Sequence, residues 1–288
     1  MKTTFLRKSS PRGFTLMELL VVIAIIVALS ALAFGAYNAA MTHARKAAEI
    51  SAARSLTSAY LAYPGDHNGE LMVAHYEGSA PDLDAREYTL PDGTTLGSVE
   101  LHRYPFRLAP YLDNQIDGTI LVNRNREQIQ AAFPGGQFNY GTSLCPALGI
   151  NYYYVGGYKA DNEVAGDGEC VTHISQVSHA ANLLLFASAF TEVGDKRIEG
   201  RYGVEPPYFR AKLWDSSLHV DPRYNGKAVV AFMDGSVRMM TVDELRDMRY
   251  WSVGAAAKDD ANYTVPPRAS TGIGGGSTGG GRGGRGGR

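Results

Sequence analysis

The sequence predicts an α+β protein. A long N-terminal transmembrane helix packs on an antiparallel-sheet body, and a disordered Gly/Arg-rich tail follows. Three observations point there. Leu19 to Ala36 is an 18-residue run without a charge. Tyr37 to Ala62 continues it without proline or glycine. From Tyr63 the texture changes to short apolar runs separated by turn residues. Apolar residues make up 44% of the 288 residues and charged residues 20%, enough for a packed core and too apolar for wholesale disorder. The formal net charge of −1 excludes a chain built throughout to coat nucleic acid. The charge is uneven, however. Lys2, Arg7, Lys8 and Arg12 lie in the first 13 residues, Arg268, Arg282, Arg285 and Arg288 in the last 21, and neither end has an acid. Setting these four and four aside leaves −9 for the middle.

The apolar run comes first. Its only polar side chain is Ser30. With Phe14 to Glu18 in front, it is long enough to cross a hydrocarbon core of about 30 Å as a helix. The basic residues before it favour a cytoplasmic N-terminus and an external body. His43, Arg45 and Lys46 beyond it weaken that asymmetry without reversing it. Ala31-Leu32-Ala33 also reads as a secretory cleavage site, which keeps open a protein released after Ala33. Glu18 stands one turn inside the apolar stretch. A carboxylate near a bilayer centre costs about 2.5–3.5 kcal/mol, and less at the interface. Either Glu18 reaches interfacial water or it meets a cation within the membrane.

Arg12-Gly13-Phe14-Thr15-Leu16-Met17-Glu18-Leu19, behind a basic leader and ahead of that apolar run, resembles the processing site of class III signal peptides. Type IV prepilins and type II secretion pseudopilins carry such sites. The resemblance implies that a prepilin peptidase cuts between Gly13 and Phe14 on the cytoplasmic side and methylates the new amine of Phe14. Glu18 becomes the fifth mature residue, and its carboxylate pairs with the N-terminal amine of a neighbouring subunit during assembly. The implied partners are the peptidase, other pilin or pseudopilin subunits, an inner-membrane assembly platform and the lipid bilayer. The implied location is the inner membrane, crossed once, with the body periplasmic or extracellular in a filament.

The helix is expected to continue past the membrane to Ala62, where Pro64-Gly65 stops it. Ile50, Ala53, Leu56, Ala59 with Tyr60, and Tyr63 form an apolar stripe at steps of three to four. From Phe14 to Ala62 the helix would be about 73 Å long, too long for one small domain to bury. Four regions follow: a leader over 1–13, a helix over 14–62 with its membrane span over 14–36, an α+β body over 63–267 and a tail over 268–288. In the body, Asn182 to Ala189 reads as a buried strand, with a short helical turn ahead of it near His173 to His179. Ala228 to Met233 and Ser236 to Met240 form a hairpin, for which Asp234-Gly235 suits a type I′ turn. Thr241 caps a short helix with Glu244 as its capping-box partner.

Cys145-Pro146 with Ile150 to Tyr154, then Ile174 to His179 with Leu183 to Ala187, then Asn225 to Val237 resemble, in order, pilin-like proteins carrying an H-X9-DG domain. Tyr224 stands where that family's histidine would be, and His219 is out of register.

Catalytic signatures are sparse, and the chain is expected to be a substrate of an enzyme rather than an enzyme. The seven histidines form no H-E-x-x-H pair, and Gly141-Thr142-Ser143-Leu144-Cys145 lacks the second glycine of a nucleophile elbow. Asp161, Asn162, Glu163, Asp167 and Glu169 concentrate oxygen ligands in a glycine-containing loop: a calcium site or a solvated acidic turn. No other cofactor is expected. Cys145 and Cys170, the only cysteines, form one disulfide in an oxidising compartment or remain two thiols. The tail holds 11 of the 33 glycines in its last 17 residues; it is expected to bury nothing and to act as a flexible spacer or as a contact to an anionic surface, with no nucleic-acid partner. The reading is a pilin-like structural subunit of a type IV pilus or type II secretion pseudopilus. The alternative is a signal-anchored envelope enzyme or binding protein that joins no filament.

Overall fold

The computed structural model describes residues 14–77, 88–160, 163–165, 170–209, 212–213 and 220–264. Helix α1 runs over Leu16–Asp66 and is 51 residues long, about 76 Å at 1.5 Å per residue. It has two unlike halves. Up to Met41 its apolar side chains lie on the outside, with Ile26 56% and Leu32 75% exposed. From Glu49 onward one face is buried, through Ala52, Ala53, Leu56, Ala59 and Tyr60. The expected stripe is therefore the packed face, though Ile50 and Tyr63 lie at its edge, half-buried. α1 also passes the expected stop at Ala62 and includes Pro64. A proline in the last turn removes one helical hydrogen bond and leaves little helix beyond it to disrupt. The Pro64 carbonyl accepts from the His67 and Gly69 N–H groups at 3.2 and 2.8 Å, which closes the end.

Fourteen strands follow among the described residues: β1 (His75–Glu77), β2 (Tyr88–Thr89), β3 (Thr95–Leu96), β4 (Leu148–Asn151), β5 (Tyr158–Ala160), β6 (Glu163–Ala165), β7 (Leu184–Ser188), β8 (Thr191–Val193), β9 (Lys196–Ile198), β10 (Gly203–Val204), β11 (Tyr208–Phe209), β12 (Lys212–Leu213), β13 (Lys227–Phe232) and β14 (Val237–Thr241). The main sheet has the order β10-β4-β7-β13-β14. It is antiparallel except for the parallel edge pair β10–β4. A second sheet runs β1-β5-β6, and three two-stranded ribbons pair β2–β3, β8–β9 and β11–β12.

All five residues of β7 and five of six in β13 are buried. Continuous apolar strands need cover on both faces. One face, with Leu185, Phe186, Val229 and Ala231, packs against Ala53, Leu56 and Tyr60 of α1. The other, with Leu184, Ala187, Ala228, Val230 and Phe232, packs against Leu245, Met248, Trp251 and Ala255. Asn151 staples this second layer, donating through Nδ2 to the carbonyls of Leu184 and Trp251, both at 3.0 Å.

The β13–β14 hairpin forms as expected, but its turn differs. Gly235 alone is at positive φ (85°), and its N–H donates to the Phe232 carbonyl at 2.9 Å. That is a type I turn followed by a left-handed glycine, not type I′. The Asp234 carboxylate accepts from the Ser236 N–H at 2.9 Å, which favours the observed form. Type I′ signs occur instead at Asn225 (φ 51°) and Gly226 (φ 76°), which turn the chain between the bridged residues Tyr224 and Lys227. The helix Val242–Leu245 starts with the expected Thr241–Glu244 capping box.

One polar cluster lies inside the α1–sheet interface. Glu49 is fully buried on α1. Its carboxylate accepts from the Tyr224 hydroxyl at 2.6 Å and from the Ser188 hydroxyl of β7. The Arg223 guanidinium stands 3.5 Å away and also pairs with Asp221 at 3.0 Å and Glu199 at 3.8 Å. Asn123 donates to the Tyr224 oxygen and to the Arg45 carbonyl, both at 3.2 Å. A buried carboxylate is tolerated only when donors replace its water, and three side chains do so here. Tyr224 ties α1 to the sheet through Glu49. Burial first, then the Glu49 carboxylate, push the Tyr224 phenol well above its usual pKa.

Two outcomes follow. Tyr224→Phe removes one donor to a buried carboxylate and should lower stability by about 1.5–3 kcal/mol, read by urea denaturation in detergent. An unchanged midpoint would mean that the cluster does not hold the helix. Secondly, His75 in β1 is held down to about 4 by burial first and then by Arg103, His102 and Arg107. Between pH 6.5 and 4 the unfolded chain then binds the extra proton, so stability should fall as pH drops through that window. His75→Gln should flatten this dependence; equal slopes in both proteins would refute it.

Candidate processing and assembly site

Phe14 is the first described residue, 75% exposed, in the extended lead-in to α1; Gly13 lies outside the described residues. Thr15 caps the helix with φ −82° and ψ 150°. Its hydroxyl accepts from the Glu18 N–H at 3.2 Å. In return, Glu18 Oε2 accepts from the Thr15 N–H at 2.9 Å and the Thr15 hydroxyl at 2.8 Å. This is a capping box, closed by an acid at the positive end of the helix dipole.

Thr15 is the side chain that engages Glu18. Its signal is the Thr-x-x-Glu spacing before an apolar run. The box puts the Glu18 carboxylate at the helix mouth, one residue beyond Phe14. Both bonds use Oε2, and Oε1 has no partner among the described residues. The side chain is therefore oriented, yet open on one oxygen to a further donor. Leu16, Met17, Leu19 and Leu20 around it are all more than half exposed, so the body supplies no apolar cover. An 18-residue window of α1 is long and apolar enough to cross a membrane, and none of it is buried in the body.

The remaining candidates do not converge on this end. Cys145 and Cys170 are free thiols. They sit in different surroundings: Cys145 is buried near Arg103 and Arg201, whereas Cys170 lies half-buried near Tyr60. Burial pushes both thiols up to about 12, far from a reactive thiolate. Of the calcium candidates, Asp161, Asn162, Asp167 and Glu169 lie outside the described residues, and Glu163 is placed only by its backbone in β6. Among the described residues no group of three acids, histidines or cysteines is placed to hold a metal. His173 bonds to the Asn68 carbonyl at 3.0 Å and to Ser175 at 2.7 Å, a loop contact.

No curated protein and no solved structure matches the chain. A family model does match at the end that carries the Thr15–Glu18 box. Residues 8–34 match the prokaryotic N-terminal methylation motif, so the chain carries a type IV prepilin-like, class III signal peptide at the head of α1.

Proposed function

We propose that the chain is a structural subunit of a type IV pilus or a type II secretion pseudopilus. Prepilin peptidase cuts it between Gly13 and Phe14 and methylates the new amine, and it assembles through α1. The observation that carries this reading is the methylation motif on a helix whose apolar half the body leaves uncovered. In the membrane, lipid covers that half; in a filament, the same half of other subunits would. Single-pass insertion with the body outside the inner membrane follows from the basic residues ahead of the span. The division into leader 1–13, helix 14–62, body 63–267 and tail 268–288 belongs to the same reading, with the helix end moved to Asp66. The body would then be a shape displayed along the filament rather than a catalyst.

The assembly step is a charge problem. Cleavage leaves a cationic amine on Phe14 and a carboxylate on Glu18, both in apolar surroundings. The Thr15 donors partly replace water for Oε2. Oε1 is open to the Phe14 amine of a staggered neighbour. That pairing offsets the desolvation of both charges, and removing one partner of such a buried pair costs about 3–5 kcal/mol.

Two experiments test this. Mass spectrometry of the mature N-terminus should find a methylated Phe14, and Gly13→Val should block the cut because a bulky residue cannot seat at it. A mature chain beginning at Phe34, or an uncut chain beside an active peptidase, overturns processing. Glu18→Ala should be inserted and cut normally but depleted from sheared filaments, with Glu18→Asp intermediate. Normal incorporation of Glu18→Ala would mean that the carboxylate merely reaches interfacial water.

A further inference from the structure

Beside the point where α1 leaves its apolar run there is a cleft of about 250 Å3, lined by Thr42, His43, Lys46, Tyr224, Asn225, Lys227 and Met239. Thr42, His43 and Lys46 come from one face of α1, since i, i+3 and i+4 are neighbours on a helix. Asn225 and Lys227 are brought opposite them by the tight Asn225-Gly226 turn. The lining contains two lysines, a histidine and a side-chain amide, and no acid. That is unusual in a chain whose middle carries a formal −9.

The nearby acids are already engaged. Glu49 is held by Tyr224, Ser188 and Arg223. Glu244, which Lys227 approaches, accepts from the Thr241 N–H and hydroxyl at 2.7 and 2.8 Å. The Thr42 hydroxyl is spent on the Asn38 carbonyl at 3.0 Å. Among the described residues, no hydrogen bond or ion pair holds the side-chain ammonium of Lys46 or of Lys227.

We infer that this cleft binds the phosphate of an anionic phospholipid headgroup. The inference rests on the membrane-anchored reading of α1. Its placement supports a lipid over a free ion. Thr42 lies six residues past Ala36, about 9 Å along the axis, and Lys46 about 15 Å. The headgroup layer is about 5–8 Å thick on each side of the hydrocarbon. Helix side chains tilt toward the N-terminus, which here is the membrane, and a lysine stem spans the remaining gap. At about 250 Å3 the cleft has room for a phosphate with its ester oxygens. Such a contact would fix the height and rotation of the subunit before it is drawn into a filament.

The test uses the processed full-length protein in mixed micelles of phosphatidylcholine and phosphatidylglycerol, with retained lipid counted after detergent exchange. Wild type should retain phosphatidylglycerol in preference to phosphatidylcholine. Lys46→Gln with Lys227→Gln should weaken that preference about thirty-fold, the worth of two lysines beside anionic lipid. Arg54→Gln, an exposed change elsewhere on α1, should leave it unchanged, and unaltered thermal melting should show that each variant is folded. Equal preference in wild type and the double variant overturns the proposal. So does complete displacement of phosphatidylglycerol by inorganic phosphate, which would make this a site for the free ion. Carbodiimide coupling of Lys46 to an acid of a second copy would overturn it in favour of a subunit contact. Failure of the protein to float with pure phosphatidylcholine vesicles would sink the membrane reading itself and the headgroup site with it; filament incorporation is read separately and does not enter.

Discussion

The buried Glu49 carboxylate is the constraint around which α1 and the body are arranged. A helix of 51 residues with an apolar first half can slide or rotate against a sheet, because apolar contact is not directional. Hydrogen bonds to a buried carboxylate are directional. Tyr224, Ser188 and Arg223 approach Glu49 from the segment before β13, the end of β7 and the loop ahead of Tyr224. Together they set both the register and the rotation of α1 on the sheet. Removing one partner of the cluster would leave an uncompensated buried charge, which is why its members must be present together.

Glu18 and Glu49 lie on one continuous helix, 31 residues and about 46 Å apart. The polar groups of α1 are thus concentrated at three levels: the capping box, the basic turn of His43 to Lys46, and the Glu49 anchor. Between the first two the surface is apolar apart from Ser30, Tyr37, Asn38 and Thr42.

The body shows why one face of a helix suffices to build a core. The main sheet has α1 on one side and the segment from Val242 to Tyr263 on the other. Neither layer covers the sheet alone. Trp251 illustrates the closure: it is fully buried, its Nε1 donates to the Leu245 carbonyl at 2.8 Å, and its own carbonyl accepts from Asn151 of β4. The last helices are consequently part of the core, not an appendage to it.

Local and periodic features were legible in the residues themselves. The uncharged run, the helix beyond it, the strand around Leu184 and the Thr241–Glu244 cap each depend on neighbours a few positions away, so the order of residues suffices to determine them. The methylation motif is legible for the same reason, because it is a linear segment. What depended on partners distant in the chain was not legible. Glu49 looks like one more solvated helix residue until Ser188 and Tyr224, 139 and 175 positions later, fold against it. The helix end at Asp66 and the turn type at Asp234-Gly235 are exceptions of a different kind: their partners are two to five residues away, but they are specific carbonyl and carboxylate contacts rather than residue propensities. The order of residues determined which segments are apolar, helical or turned. Tertiary packing alone decided which of their polar groups would be buried, because burial is a property of what lies opposite.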